Sequence, residues 1–208
     1  MTDKEFASHW QIERYGDFWL TDAIRPGLEV PVAPRQGYRM GTFRNPQVGL
    51  QVPVLAAAVS RENLFDVFLT LLEPLGEVVD VVLETSHHSS NGQHQDLCRQ
   101  FIDQPVLQSY FCDFEELLLH DGCTGVAVLS TTQPIELQFD EHKLLIVYAR
   151  ELRPFENLLR SYAVPRHDDL KLISEGEHLH GSRPEFADAF EQLCCRVGVS
   201  DRAERVSW

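Results

Sequence analysis

The stretch VPVLAAAVSRENLFDVFLTLLEPLGEVVDVVL, residues 52–83, decides the fold class. It opens on a short apolar run, VPVLAAAV. Ser60 then stands where a helix N-cap belongs, and Leu64, Phe65, Phe68, Leu71, Leu72 and Leu75 recur at helical spacing up to the stop Pro74-Leu75-Gly76. VVDVVL follows, apolar nearly throughout, as expected of a strand covered on both faces. The simplest reading is a β-α-β unit.

Downstream, Pro105 to Leu119 carries the stripe Leu107, Tyr110, Phe111, Phe114, Leu117 and Leu118, closed by Asp121-Gly122. TGVAVLST reads as a strand, and IELQF, the polar DEHK and LLIVYA read as a hairpin. Phe155, Leu158, Leu159 and Tyr162 mark a short helix and LKLIS, residues 170–174, another strand. Phe186, Ala189, Phe190, Leu193, Cys194 and Val197 mark a last helix ended by Gly198. The body order is therefore β-α-β-α-β-β-α-β-α, which predicts an α+β fold with a mixed sheet flanked by helices.

Upstream, WQIERYGDFWLTDAI places Gly16-Asp17 between two aromatic-rich runs, the signal for a tight β-hairpin. From Arg25 to Pro53 lie five of the 11 prolines, with Gly27, Gly37, Gly41 and Gly49 among them, so regular helix is disfavoured and an extended arm or irregular β region is expected. Residues 1–49 are read as this hairpin and Pro/Gly-rich arm, packed on a body of residues 50–208 in a single domain.

At 208 residues the chain is long enough to bury a substantial core, and no run reaches the length of a membrane span. The start MTDKEFASHW lacks a basic n-region and an apolar h-region, so a cytoplasmic location is expected. The net charge is −14, and residues 1–44 hold six of the 18 basic and six of the 32 acidic residues, so the whole acidic excess lies in the remainder. Such a body repels a phosphate backbone, which disfavours nucleic acid as a partner. The five cysteines form no C-x-x-C pair, and with Cys112 and Cys194 on apolar helix faces they read as small buried hydrophobes.

Chemistry concentrates in two histidine-rich segments. ETSHHSSNGQHQD, residues 84–96, offers His87, His88, His94 and Asp96, although neighbouring histidines on an extended chain point to opposite faces. SEGEHLHGSRPE, residues 174–185, offers His178 and His180 on one side of an extended segment. If the strands before the two segments run parallel, both groups emerge at one sheet edge. The set would then be a composite site for Zn or another divalent metal, with Glu177 or Asp96 as general base for a metal-bound water. Glu185 is set aside, because Ser182-Arg183-Pro184-Glu185 reads as a capping box. His120 reads as structural, at a helix C-terminus, and His142 as a hairpin-turn residue with no partner nearby in sequence.

No G-x-S-x-G elbow, P-loop or dinucleotide fingerprint occurs. The favoured reading is a non-enzymatic binding protein without a cofactor. Its N-terminal arm, through Trp10, Phe18, Trp19, Arg35, Tyr38, Arg39 and Phe43, would form a homo-oligomer or hold a protein partner. The alternatives are a metal-dependent hydrolase built on the histidine segments and a small-ligand sensor using the same sheet edge.

Overall fold

A computed structural model describes residues 3–47, 49–87 and 94–201. After a short helix α1 (Asp3–Trp10) comes the expected hairpin, β1 (Arg14–Tyr15) against β2 (Phe18–Trp19). Gly16 sits at φ 61°, the left-handed conformation that tight hairpin turns require and that glycine adopts without steric cost. A short strand β3 (Ile24–Pro26) follows, and then two long strands, β4 (Gly37–Asn45) and β5 (Leu50–Ala58), pair along their whole length.

The part read as an irregular arm is therefore half of a regular hairpin, and β4 is the edge of the main sheet. Its prolines do not prevent this, because Pro46 lies outside the ladder and Pro53 lies beyond the residues of β5 that pair inward.

Helix α2 (Arg61–Leu71) and a 3-10 turn (Glu73–Leu75) lead into β6 (Val78–Thr85). β7 (Gln95–Asp103), not anticipated from the sequence, pairs back on β6. Helices α3 (Gln104–Asp113) and α4 (Glu115–His120) precede β8 (Thr124–Ser130), β9 (Ile135–Phe139) and β10 (Leu145–Ala149). Then come α5 (Arg153–Ser161), β11 (His178–His180), α6 (Pro184–Val197) and a two-residue β12 (Ser200–Asp201). The expected strand at 170–174 is instead extended chain ending in a 3-10 turn (Ile173–Glu175).

The fold is α+β, with an eight-stranded sheet in the order β12-β7-β6-β8-β9-β10-β5-β4. Every neighbouring pair in that sheet is antiparallel, and parallel pairing is confined to an isolated bridge between Tyr38 and Arg166. Following the pairings across the sheet, β5 and β6 do run in the same direction, as a β-α-β unit demands. They are separated by the meander β8-β9-β10, which fills the space between them.

Helices α2 to α6 cover one face. Phe68, fully buried at the centre, meets Phe65, Phe111 and Phe139 with ring centroids 6.3, 5.4 and 4.9 Å away. Removing a side chain of this size from water stabilises by about 1.5–3 kcal/mol. On the opposite face a second cluster forms where Phe18, Leu20 and Ile24 join Leu170, Leu172 and Ile173 over Ala58 and Leu144. The N-terminal segment and the 170–180 segment are thus pressed on the back of the sheet. No helix among the described residues is long and apolar enough to cross a membrane.

Candidate metal centre

The back-side covering brings histidines together. β11 pairs antiparallel with β3, setting His178 opposite Pro26 and His180 opposite Ile24. Strand alternation then turns both imidazoles to one side and Glu177 to the other, where its side chain lies against Gly27.

Facing them is the β9–β10 turn, Asp140 to Lys143. Its geometry is fixed by Asp140, which accepts from the Leu144 amide at 2.8 Å and, on its other carboxylate oxygen, from His142 Nδ1 at 2.9 Å. Lys143 takes a left-handed φ of 60° to close the turn, and its buried ammonium donates to the Thr124 carbonyl at 2.9 Å. Burial lowers the Lys143 pKa to about 8, against the opposing pull of Asp121, Asp140 and Glu141.

His142, His178 and His180 form a triangle with ring centroids 4.8, 5.0 and 5.1 Å apart. One potential ligand atom from each lies within 4.8 Å of the others. The Nδ1 atoms are all engaged: His142 with Asp140, His178 with the Gly176 carbonyl at 2.7 Å and His180 with the Gly122 carbonyl at 2.8 Å. A ring whose Nδ1–H donates in this way keeps its lone pair on Nε2. His142 Nε2 and His178 Nε2 are 3.2 Å apart.

Burial disfavours the charged form of His142, but the hydrogen bond and charge of Asp140, with Glu141, outweigh it and raise the pKa. For His180, burial prevails, reinforced by the two neighbouring imidazoles, and the pKa falls. Beside His142 opens a cleft of about 160 Å3 lined by Glu84, His94, Gly125, Asp140 and Glu141. Glu84 is held above the ordinary carboxylate range by burial and by the charge of Asp96.

A second mixed donor group, His87, Asp121 and Cys123, lies at the same sheet edge, where β6 ends and β8 begins. His87 Nε2 is 2.8 Å from Asp121 Oδ2, and Thr124 Oγ1 donates to the same oxygen at 2.5 Å. Burial alone would raise the pKa of Asp121. The hydrogen bonds from His87, Ser182 and Thr124 reverse that and hold it ionised.

The two histidine segments do converge, but through Asp121-Gly122-Cys123 and not through parallel strands. The single composite site of His87 or His88 with His94, His178 and His180 does not form among the described residues. His178 and His180 join His142, His87 joins Asp121 and Cys123, His94 stands 3.7 Å from Glu141 across the cleft, and His88 lies outside the described residues. Asp96 pairs with Glu84 in the β6–β7 ladder, and with Glu177 turned to the opposite side neither expected general base joins the triangle.

The S-x-x-E capping box is replaced as well. The N-cap of α6 is Arg183 without a side-chain cap, and the Ser182 hydroxyl donates to the Arg183 carbonyl at 3.4 Å instead. Cys112 is exposed, because it follows the buried Phe111 by one position and so leaves the inward face of α3.

The residues expected at an interface are mostly engaged within the chain. Phe18 and Tyr38 are buried, and Tyr38 donates to Glu156 at 3.0 Å. Trp10 lies over Arg25, and Trp19 over Arg14 and Arg61. Arg35 pairs with Asp169 at 3.0 Å and Arg39 with Glu175 at 3.1 Å. Phe43 remains 43% exposed, edge-on to Tyr148.

His142, Asp140, Asp121 and Cys123 were not singled out from the sequence. The available signal was the Asp140-Glu141-His142 turn, in which a carboxylate two residues before a histidine can fix its tautomer. Comparison with protein-family models, with curated proteins and with solved structures finds no match.

Proposed function

We propose that the protein is a metal-dependent hydrolase of the Zn2+ class, its ion held by Nε2 of His142, His178 and His180. One observation carries the reading. Three imidazoles converge with each Nδ1 bound to a carboxylate or a backbone carbonyl, which is the outer-shell pattern of ligating histidines. Three protein donors leave a fourth tetrahedral position for water, as in catalytic zinc sites, and the ion lowers the pKa of such a water to about 7.

The cleft beside His142 is the substrate side. Its Glu84, Asp140 and Glu141 repel phosphate, so a neutral or cationic ester or amide is the favoured substrate class. Glu141, which lines the cleft beside His142 and stands 3.7 Å from His94, is assigned as general base.

Elemental analysis of protein purified without an affinity tag tests the reading. Bound Zn, Mn, Fe or Ni that drops by one equivalent in His178→Ala/His180→Ala supports it. Equal metal content in wild type and variant, with unchanged melting on adding metal, sinks it.

Self-association is a second reading, supported by the nine-residue edge strand β4, whose Phe43 and neighbouring Leu50 on β5 are exposed. A monomer by light scattering at high concentration would remove it.

A further inference from the structure

The segment Asp121-Gly122-Cys123 touches both donor groups. Gly122 offers its carbonyl to His180 Nδ1, while the residues on either side of it contribute to the His87 group. Its position is set by close backbone packing, since the Gly122 amide donates to Gly181 at 2.7 Å and the Gly181 amide donates to Ala23 at 2.8 Å.

The His87 group has the makings of a site in its own right. Asp121 is completely buried and the His87 side chain is only 8% exposed, so both are desolvated within reach of a half-buried thiol. The Ser182 hydroxyl, which donates to the Arg183 carbonyl at 3.4 Å, borders both Asp121 and Cys123. Asp121 also accepts from Thr124 Oγ1 and, at 3.3 Å, from the Cys123 amide. A dry imidazole, carboxylate and thiol around one point offer the borderline-soft donors that Zn2+ and Co2+ accept.

We propose that His87, Asp121 and Cys123 form a second metal centre, for a thiolate-accepting divalent ion. It clamps the 121–123 segment and so fixes the Gly122 carbonyl that orients His180. The clamping role rests on the three-histidine reading, whereas the presence of the ion does not. Coordination replaces the thiol proton of Cys123, which leaves to solvent, and the two anionic ligands then balance the charge of the ion. Three donors leave one tetrahedral position for water.

Sulfur makes the two centres separable by spectroscopy. Full-length protein, freed of metal by chelation and dialysis, is titrated with Co2+ while the near-ultraviolet thiolate-to-cobalt charge-transfer band is recorded. The wild type is expected to develop the band and to take up two equivalents. Cys123→Ser should lose the band and one equivalent, and His87→Gln should weaken the band-forming step at least tenfold. His178→Ala/His180→Ala should lose the other equivalent and keep the band. One equivalent with the band in wild type supports the second centre while sinking the three-histidine reading. No band in wild type, or a band that survives in folded Cys123→Ser, overturns the proposal. Should Cys123→Ser fail to fold, an unchanged band in His87→Gln overturns it equally.

Discussion

His142 Nε2 and His178 Nε2 stand 3.2 Å apart, each on a ring whose Nδ1 is already bound elsewhere. Two lone pairs at that distance repel, and a proton or a metal ion between them would relieve the repulsion. Asp140 favours both, because its carboxylate raises the pKa of His142 and turns its ring. Asp140→Asn keeps the size and removes the charge. It is expected to weaken Zn2+ binding about 10–100-fold, as loss of an outer-shell partner does. Competition against a chromophoric chelator measures this, and an unchanged affinity would detach Asp140 from the centre.

Gly122 presents a different kind of constraint. A Cβ there would lie 2.8 Å from the Gly181 carbonyl and closer still to that of Ala23, both of them backbone atoms that cannot rotate away. Gly122→Ala is therefore expected to cost about 1–3 kcal/mol, the usual range for overpacking, and to displace the carbonyl that orients His180. A urea midpoint reports the first effect and Zn2+ affinity the second. A variant as stable as wild type would show that the segment has room to shift.

How much of this was legible depended on whether the information was local. The pairing of His178 with His180 follows from their i, i+2 spacing, and the hairpin at Gly16 from its flanking aromatics. β5 and β6 could be read as strands joined by a helix, but nothing local reveals that three later strands insert between them. β7 escaped because QDLCRQFID has no sustained apolar run, and the regularity of β4 because its glycines and arginines suit an irregular β segment as well. The partner of His178 lies 36 residues away, in a turn that only the sheet brings opposite β11. The neighbours of Cys123 could not be read for the same reason: they are properties of the fold.

Arg25, at the start of the arm read from the sequence as packed on the body, is 1% exposed and donates to the backbone carbonyls of Trp10, Thr21 and Ile24. Its one ion-pair contact among the described residues, Asp22 at 3.8 Å, is loose, so the guanidinium works as a backbone clasp behind β3. Arg25→Met fills the volume and leaves three acceptors without that donor. At about 1 kcal/mol or more for each, the expected loss is about 3 kcal/mol. Because β3 carries β11, Zn2+ affinity should fall along with the denaturant midpoint. A loss below about 1 kcal/mol would mean that water takes over the role.

Glu84 contributes to the pH dependence of the metal-free protein. Burial, then the charge of Asp96, raise its pKa above the ordinary carboxylate range, despite the opposing effect of His94. A carboxyl whose folded pKa is raised binds its proton more tightly in the native state. The associated stability is therefore fully present below the unfolded pKa and is lost as pH rises through the folded value. Glu84→Gln stays neutral throughout, so it should melt higher than wild type at pH 8, with the difference shrinking as pH falls through the raised folded value and vanishing below the ordinary carboxylate range. Melting curves of both proteins in excess chelator, from pH 4 to pH 8, measure this. A Glu84→Gln protein less stable than wild type at pH 8 would mean that the ionised carboxylate is held by favourable contacts and not merely tolerated beside Asp96.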